Sequence, residues 1–164
     1  MKRRGTTTLE TAMFLPLLLL LFMGMVEVGR VTYTYFTLHK MLYSLGRLLG
    51  TQQGVNFCDD ADATVETAKN LVLTGTIDGS AGPLVANLTP DLVQVSIERR
   101  NADSGELENC DCAVPGCDVV NGGLAPDYLV IAIPDGYQVQ LRIPYVMLAP
   151  LPLKPQIRVP YGGT

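Results

Sequence analysis

The sequence predicts an α+β protein with a long N-terminal helix, a second short helix and a small antiparallel sheet of about four strands. Three observations predict this fold. Sixteen residues without a charge, 11–26, are followed by apolar residues at alternating spacings of three and four up to Gly50, which is typical of one continuous helix. Alternating apolar and polar residues at 93–98 and 137–145 are typical of strands. Because the strand patterns follow one another closely, they favour an antiparallel sheet packed on the helix.

The N-terminal helix is predicted to have a transmembrane part, residues 6–29, and an amphipathic part, residues 30–50. A transmembrane helix needs about 20 residues to cross roughly 30 Å of hydrocarbon, and the first part supplies them. The second part carries an apolar stripe, which is expected to pack against the chain's own domain. The stripe consists of Val28, Val31, Tyr35, Leu38, Leu42, Leu45 and Leu49. Charges beside the stripe are sparse, which disfavours a coiled-coil partner.

A signal peptide is the alternative interpretation of the first residues, because Lys2, Arg3 and Arg4 precede the apolar run. The run ends without the small-x-small cleavage site of signal peptides, and Glu10 interrupts the region that would be uncharged. In a transmembrane helix, a carboxylate within the apolar layer costs roughly 2.5–3.5 kcal/mol. Glu10 therefore either lies at the level of the lipid headgroups or has a function there.

The residues from Gly5 to Glu10 have the form of a type IV prepilin processing site. In that pattern a short basic leader ends in glycine, and a glutamate occupies the fifth position after cleavage. Cleavage after Gly5 would free the amine of Thr6, which could pair with Glu10 of a neighbouring subunit. Such a pair offsets the desolvation of the carboxylate only when it forms, so it would favour assembly over an isolated subunit.

The segment from Arg4 to Arg30 resembles the TadE-like pseudopilins, which are minor pilin-like proteins of tight-adherence (Flp-type IVb) pilus systems. The resemblance is specific over the long helix and loose beyond it. Thr11 departs from the pattern, because these proteins commonly carry a larger apolar or aromatic residue at this position. The residues that carry the resemblance are Gly5, Glu10, Leu15, Pro16, Leu17, Glu27, Gly29 and Arg30.

The resemblance implies a structural protein rather than an enzyme, namely a pseudopilin that takes part in assembly of a tight-adherence type IVb pilus and in cell adhesion. Gly5 and Thr6 would form the processing site, and Thr6 and Glu10 the subunit pair. The implied partners are a prepilin peptidase, other pilins or pseudopilins, the pilus assembly machinery and the lipid bilayer. The implied fold is pilin-like.

The resemblance also implies a location. Residues 1–5 would be a leader, and the mature chain would cross the inner membrane once with its N-terminus in the cytoplasm. The domain formed by residues 51–164 would lie in the periplasm or in an extracellular pilus. Two other functions stay open: a permanently anchored periplasmic domain whose cysteine loop binds a ligand, and a pseudopilin of a type II secretion system.

The domain is predicted to begin with a short helix. Residues 60–74 have an apolar face, Asp59 or Asp60 could cap the helix, and Gly75 ends it. The glycines and prolines of residues 75–90 predict a loop.

Three strand patterns follow the one at 93–98. Residues 128–133 have the composition of a buried strand, and the turn Pro134-Asp135-Gly136 is predicted to join them in a hairpin with residues 137–145. The last strand pattern contains Ile157, Val159 and Tyr161. Flanking prolines place this strand at an edge of the sheet, because proline cannot donate a ladder hydrogen bond.

Four cysteines lie in the domain: Cys58, Cys110, Cys112 and Cys117. Outside the cytoplasm they are expected to form disulfides, which would tie down the long loop 99–127. Three pairings are possible, and a Cys110–Cys112 bond is least favoured because one residue separates the two. The favoured pairing has one bond from Cys58 into the loop and a second within the loop that involves Cys117. A zinc site of four thiolates is the alternative, although the usual Cys-x2-Cys spacing is lacking.

The composition disfavours several functions. The chain has 12 basic and 16 acidic residues and a net charge of −4, which argues against a nucleic-acid partner. His39 is the single histidine, so it is the one residue that could serve as the base in a nucleophile–histidine mechanism, and the sequence disfavours such an enzyme. No cofactor or metal is predicted. Asp60, Asp62, Thr64 and Glu66 suggest calcium, but the glycine expected in a calcium loop does not follow them.

Overall fold

The computed structural model describes residues 4–101, 103–114, 116–142 and 148–163, with side chains from Glu10 onward except that of Asn121. It has the predicted α+β architecture: a long N-terminal helix, a second short helix and a four-stranded antiparallel sheet. The helices are α1 (Arg4–Leu49) and α2 (Ala63–Thr74). The strands are β1 (Gln94–Arg100), β2 (Leu107–Asn109), β3 (Tyr128–Ala132), β4 (Tyr137–Val139), β5 (Leu151–Leu153) and β6 (Gln156–Pro160).

The main sheet has the strand order β2-β1-β3-β6, and every neighbouring pair is antiparallel. In the centre, Ile97 lies opposite Leu129, which lies opposite Val159. All three side chains are buried, because side chains at paired positions point to the same face of a sheet. As predicted, the last strand lies at an edge of this sheet. β4 and β5 form a separate two-stranded antiparallel ladder.

The second half of α1 covers the sheet and forms the centre of the core. Leu38, Leu42, Leu45 and Leu49 are each at most 1% exposed, which confirms this part of the predicted stripe. The first residue of the predicted stripe does not pack against the domain, since Val28 is 66% exposed. α1 packs against β3, β6 and α2, so the domain is built around the end of the helix that is distant from the N-terminus.

Helix α2 begins later than predicted, because Asp62 caps it rather than Asp59 or Asp60. The Asp62 carboxylate accepts a hydrogen bond from the Thr64 N–H at 2.8 Å. Asp60 instead pairs with Lys69, with 3.2 Å between Oδ1 and Nζ. Gly75 ends the helix in the left-handed conformation, as glycine commonly does at this position.

The predicted hairpin between β3 and β4 is wrong. The turn before Gly136 is present, but β3 pairs with β1 on one side and with β6 on the other. Both edges of β3 are therefore occupied, and β4 pairs with β5 instead. The predicted strand positions Ile143 and Tyr145 lie outside the described residues.

The predicted loop 99–127 is partly regular structure. β1 extends to Arg100, and β2 pairs with it across a short turn closed by a hydrogen bond from the Asn101 N–H to the Glu106 carbonyl. A single turn of 3-10 helix, Val119–Asn121, lies further along. The sequence does not predict β2, because this strand has only three residues, one leucine and two polar residues, none of them buried, and so shows no alternation.

Candidate functional site

The first half of α1 presents a continuous apolar surface. The large apolar side chains from Met13 to Val28 are each between 44% and 75% exposed. By length and composition, the helical segment Glu10–Leu49 can cross a membrane, and it is the candidate span among the described residues. Soluble proteins seldom expose contiguous apolar patches larger than a few hundred Å². Lipid or neighbouring helices would cover such a surface.

The predicted processing and pairing residues lie in the first turns of this helix. Gly5 and Thr6 have helical backbone, and the side chains of residues 5–9 lie outside the described residues. Thr6 and Glu10 are four positions apart, which places them on the same face of α1. The Glu10 side chain is exposed, and none of the ion pairs among the described side chains involves it. Glu10 is thus accessible to a partner from outside the subunit.

A charged junction follows the apolar segment. Arg30 forms an ion pair with Glu27, with 2.9 Å between Nη2 and Oε2. The same guanidinium also donates a hydrogen bond to the carbonyl of Gln140, in the residue that follows β4. The domain is therefore attached to α1 only a few residues beyond the end of the uncharged run.

The four cysteines form two disulfides, Cys58–Cys112 and Cys110–Cys117. This is the pairing favoured by the sequence, with one bond from Cys58 into the loop and a second within it. The two bonds lie side by side, with 3.6 Å between Sγ of Cys58 and Sγ of Cys117. We refer to these four residues as the cysteine cluster. It joins the segment after α1 to the loop that follows β2.

Two charged residues that the sequence analysis did not single out support the cysteine cluster. Asp118 is buried and accepts hydrogen bonds from the backbone N–H groups of Phe57 and Val119, both at 2.6 Å. The Arg99 guanidinium donates to the carbonyls of Gly116, Cys117 and Leu124. These contacts satisfy backbone groups of an irregular loop, which the residue types alone do not reveal.

Asp118 also affects the ionisation of the Tyr161 hydroxyl, which lies nearby. Burial raises the pKa of Tyr161, and the nearby Asp118 carboxylate raises it further. The Tyr161 hydroxyl donates a hydrogen bond to the carbonyl of Gln52 at 2.7 Å. The Tyr161 ring packs edge to face against Phe57, with 5.6 Å between centroids. Tyr161 therefore packs against the segment that follows α1.

The residues considered for metal binding or catalysis are engaged elsewhere or lie apart. In the cysteine cluster, sulfurs bonded in disulfides do not offer the thiolates that zinc binds. Asp62 caps α2 and Asp60 pairs with Lys69, so two members of the calcium pattern have local partners. His39 is exposed on α1, with its ring 6.4 Å from that of Tyr35.

The N-terminal helix matches a known protein family. Residues 5–47 match the family model described as TadE-like protein, which covers the leading part of the 164-residue chain. The resemblance predicted from Gly5, Glu10 and Arg30 is confirmed over these residues. No curated protein and no solved structure matches the chain. The match ends within α1, before the domain begins.

Proposed function

We propose that this protein is a pseudopilin, a minor pilin-like structural subunit that takes part in assembly of a tight-adherence type IVb pilus. The observation that carries the proposal is the match of residues 5–47 to the TadE-like family on a helix whose apolar half is exposed. A helix of this kind can reside in a bilayer and can pass into a bundle of similar helices, since both environments cover the same surface. The role is structural and not enzymatic.

Glu10 is proposed to select assembly over the isolated subunit. In lipid, an unpaired carboxylate is costly, whereas the amine of a processed Thr6 on a neighbouring subunit would neutralise it. The exposed position of Glu10 on α1 supports this arrangement, because the side chain is open to an approaching helix. The proposal requires a prepilin peptidase that cleaves after Gly5.

Mass spectrometry of the mature N-terminus tests the processing step. In cells with an active prepilin peptidase, the purified protein is expected to begin at Thr6. It would then have lost Lys2, Arg3 and Arg4, which leaves nine basic residues against 16 acidic ones and a net charge of −7 before the termini. An intact Met1 under these conditions would favour a permanently anchored periplasmic domain instead.

Substitution of Glu10 tests the pairing step. Glu10→Ala is expected to be cleaved normally but to be lost from sheared pili, because removing one member of a buried ion pair costs about 3–5 kcal/mol. The matched control is Glu106→Ala, which removes an exposed carboxylate from the domain. Normal incorporation of Glu10→Ala would contradict the pairing. Recovery of the wild-type protein with secretion machinery rather than with pili would favour a pseudopilin of a type II system.

A further inference from the structure

The β4–β5 ladder is directed back along α1 toward the apolar segment. At the end of the main sheet where β3 begins, the Tyr161 N–H donates to the Asp127 carbonyl and the Gly162 N–H donates to the Gly50 carbonyl. This end therefore lies beside the C-terminal end of α1. β3 starts next to Asp127, and Ile131 near its other end contacts α1 at Gly46, one turn before Gly50. The chain therefore runs back along α1 through β3, and β4 follows after one turn.

One end of the ladder lies beside the charged junction of α1. In the ladder, Tyr137 pairs with Leu153 and Val139 pairs with Leu151, so Val139 and Leu151 form the end distant from the turn. The next residue is Gln140, whose carbonyl accepts the hydrogen bond from Arg30. The end formed by Val139 and Leu151 thus lies at the level of Arg30 along the axis of α1.

Arg30 marks the boundary of the apolar segment. Residues 11–26 carry no charge and as a helix span about 24 Å, and residues 7–10, which include Glu10, bring the span to the roughly 30 Å of the hydrocarbon layer. Glu27 is the first charged residue after them, and it is paired with Arg30. When the segment spans a bilayer, this ion pair lies at the headgroups on the side of the domain.

The residues that lead into β5 adjoin this end of the ladder and expose apolar side chains. Leu148 is 44% exposed and Leu151 is 41% exposed, and Pro150 between them is also exposed. Arg142, close in sequence to Gln140, is exposed as well. Apolar side chains together with a cation are typical of segments that rest in the interface of a membrane.

We infer that the exposed side chains of Leu148, Pro150 and Leu151, which adjoin the end of the ladder formed by Val139 and Leu151, rest on the domain-side surface of the bilayer that α1 crosses. The leucines enter the boundary between headgroups and acyl chains, and Arg142 lies near the lipid phosphates. The domain then has two attachments to the membrane, which restrict its tilt on α1. This inference depends on the membrane-spanning part of the proposed function.

Tryptophan quenching tests this contact, because the chain contains no tryptophan. Leu148→Trp and Leu151→Trp each introduce a single fluorophore at an exposed position. The full chain is reconstituted in phosphatidylcholine vesicles, with and without lipids brominated close to the headgroup. The expected result is a blue-shifted emission and about a two-fold loss of intensity in the brominated vesicles, since interfacial side chains lie within ~10 Å of the acyl boundary.

Two further variants serve as controls. Phe22→Trp lies in the apolar segment and is expected to be quenched by lipids brominated deep in the acyl chain. Leu124→Trp replaces a side chain that is 75% exposed, near the Asp127 end of the sheet and distant from the membrane, and is expected to show no quenching.

The outcomes separate the inference from the proposed function. Quenching at position 22 without quenching at 148 and 151 would overturn the ladder contact and leave the membrane span intact. Absence of quenching at position 22 would overturn the membrane span itself. A blue shift at 148 and 151 that depends on the protein-to-lipid ratio, without quenching, would assign the ladder end to a contact between copies and overturn the inference.

Discussion

Gly46 lies where α1 packs closely against the sheet. A Cβ atom at this position would lie 2.6 Å from Cγ2 of Val159 and 3.2 Å from Cδ1 of Ile157. Contacts this short require the helix or strand β6 to move. The absence of a side chain at Gly46 therefore sets how deeply α1 sits on the sheet.

Gly46→Ala is expected to destabilise the domain by about 1–3 kcal/mol, the usual cost of overpacking a core. The matched control is Gly29→Ala on the same helix, where no atom beyond the neighbouring residues and the backbone of the helix itself lies within 4 Å of the added Cβ. This control is expected to be neutral or slightly stabilising, because alanine favours helix by up to about 1 kcal/mol. Urea unfolding of both variants in detergent micelles measures the difference, and equal stabilities would show that the sheet yields without cost.

The Asp62 carboxylate links the stability of α2 to pH. Burial raises its pKa, but backbone hydrogen bonds outweigh that effect and hold the pKa below its ordinary value of 3.8. The donors are the N–H groups of Thr64, Asn56 and Val65. A carboxyl group with a lowered folded-state pKa stabilises the fold above its unfolded pKa and loses this effect as the pH falls through the folded-state value.

Asp62→Ala is expected to cost about 1 kcal/mol at pH 7, as for other N-cap residues. The difference from the wild type is expected to shrink as the pH falls below 3.8, the ordinary value for this group, because the wild-type carboxyl then becomes protonated. Asp62→Asn retains a capping oxygen that does not titrate and serves as the control. Thermal unfolding at several pH values measures both effects, and a difference that stays constant with pH would contradict the assignment.

At the residue scale, the sequence predicted side chains whose burial follows a period. Leu38 and Leu42 were predicted to be buried because helical spacing alone places them on one face. Gly46, Asp118 and Arg99 could not be predicted, because their roles depend on residues distant in sequence. A glycine in a helical pattern has the same local signal whether or not a strand packs against it.

At the scale of elements, the two disulfides close loops of very different length. Cys58–Cys112 spans 54 residues and Cys110–Cys117 spans seven. In the loop-closure model, a longer loop restricts the unfolded chain more strongly and stabilises the fold more. The first bond also joins the segment after α1 to the loop after β2, whereas the second acts within that loop.

Removing the two bonds separately is expected to have unequal effects. From loop closure, Cys58→Ala/Cys112→Ala should cost about 4 kcal/mol and Cys110→Ala/Cys117→Ala about 2 kcal/mol, given separations of 54 and seven residues. Each double variant leaves the other bond intact. Denaturant unfolding measures the costs, and peptide mapping without reductant checks the remaining bond. A reversed order would show that packing around the cysteine cluster outweighs chain entropy.

The elements themselves were largely predictable, but their pairing was not. The spans of α1, β3 and β6 follow from periodicity and from flanking prolines and glycines. The Asp135-Gly136 signal correctly indicated a turn, yet a turn does not determine that its two flanking strands pair. Here β1 and β6 occupy both edges of β3, and such long-range competition leaves no local trace.

At the scale of the whole molecule, one helix serves two environments. The large apolar side chains of α1 from Met13 to Val28 are exposed, whereas Leu38, Leu42, Leu45 and Leu49 are buried in the domain. Burial of a leucine contributes about 2 kcal/mol, so four of them contribute about 8 kcal/mol, which is comparable with the whole stability of a domain. The domain should therefore depend on the second half of α1 and not on the first.

Two truncated chains test this division. A chain that starts at Arg30 is expected to be monomeric in water and to unfold cooperatively. A chain that starts at Gly50 lacks the four core leucines and is expected to be unfolded or aggregated, with its disulfides scrambled. Circular dichroism and size-exclusion chromatography measure these properties. A folded domain without α1 would contradict the assignment of the core.

From the residues after Pro16 to Leu49, α1 contains no further proline and joins the apolar segment directly to the domain at its end. The helix extends from Arg4 to Leu49 and is about 69 Å long at 1.5 Å per residue. It passes from the apolar segment into the core with no intervening linker, and the sheet is packed directly on its last turns. An axial displacement or a rotation of the helix beyond Pro16 is thus transmitted to the domain. A displacement of α1 along its axis by one helical pitch would move the sheet by about 5.4 Å in the same direction.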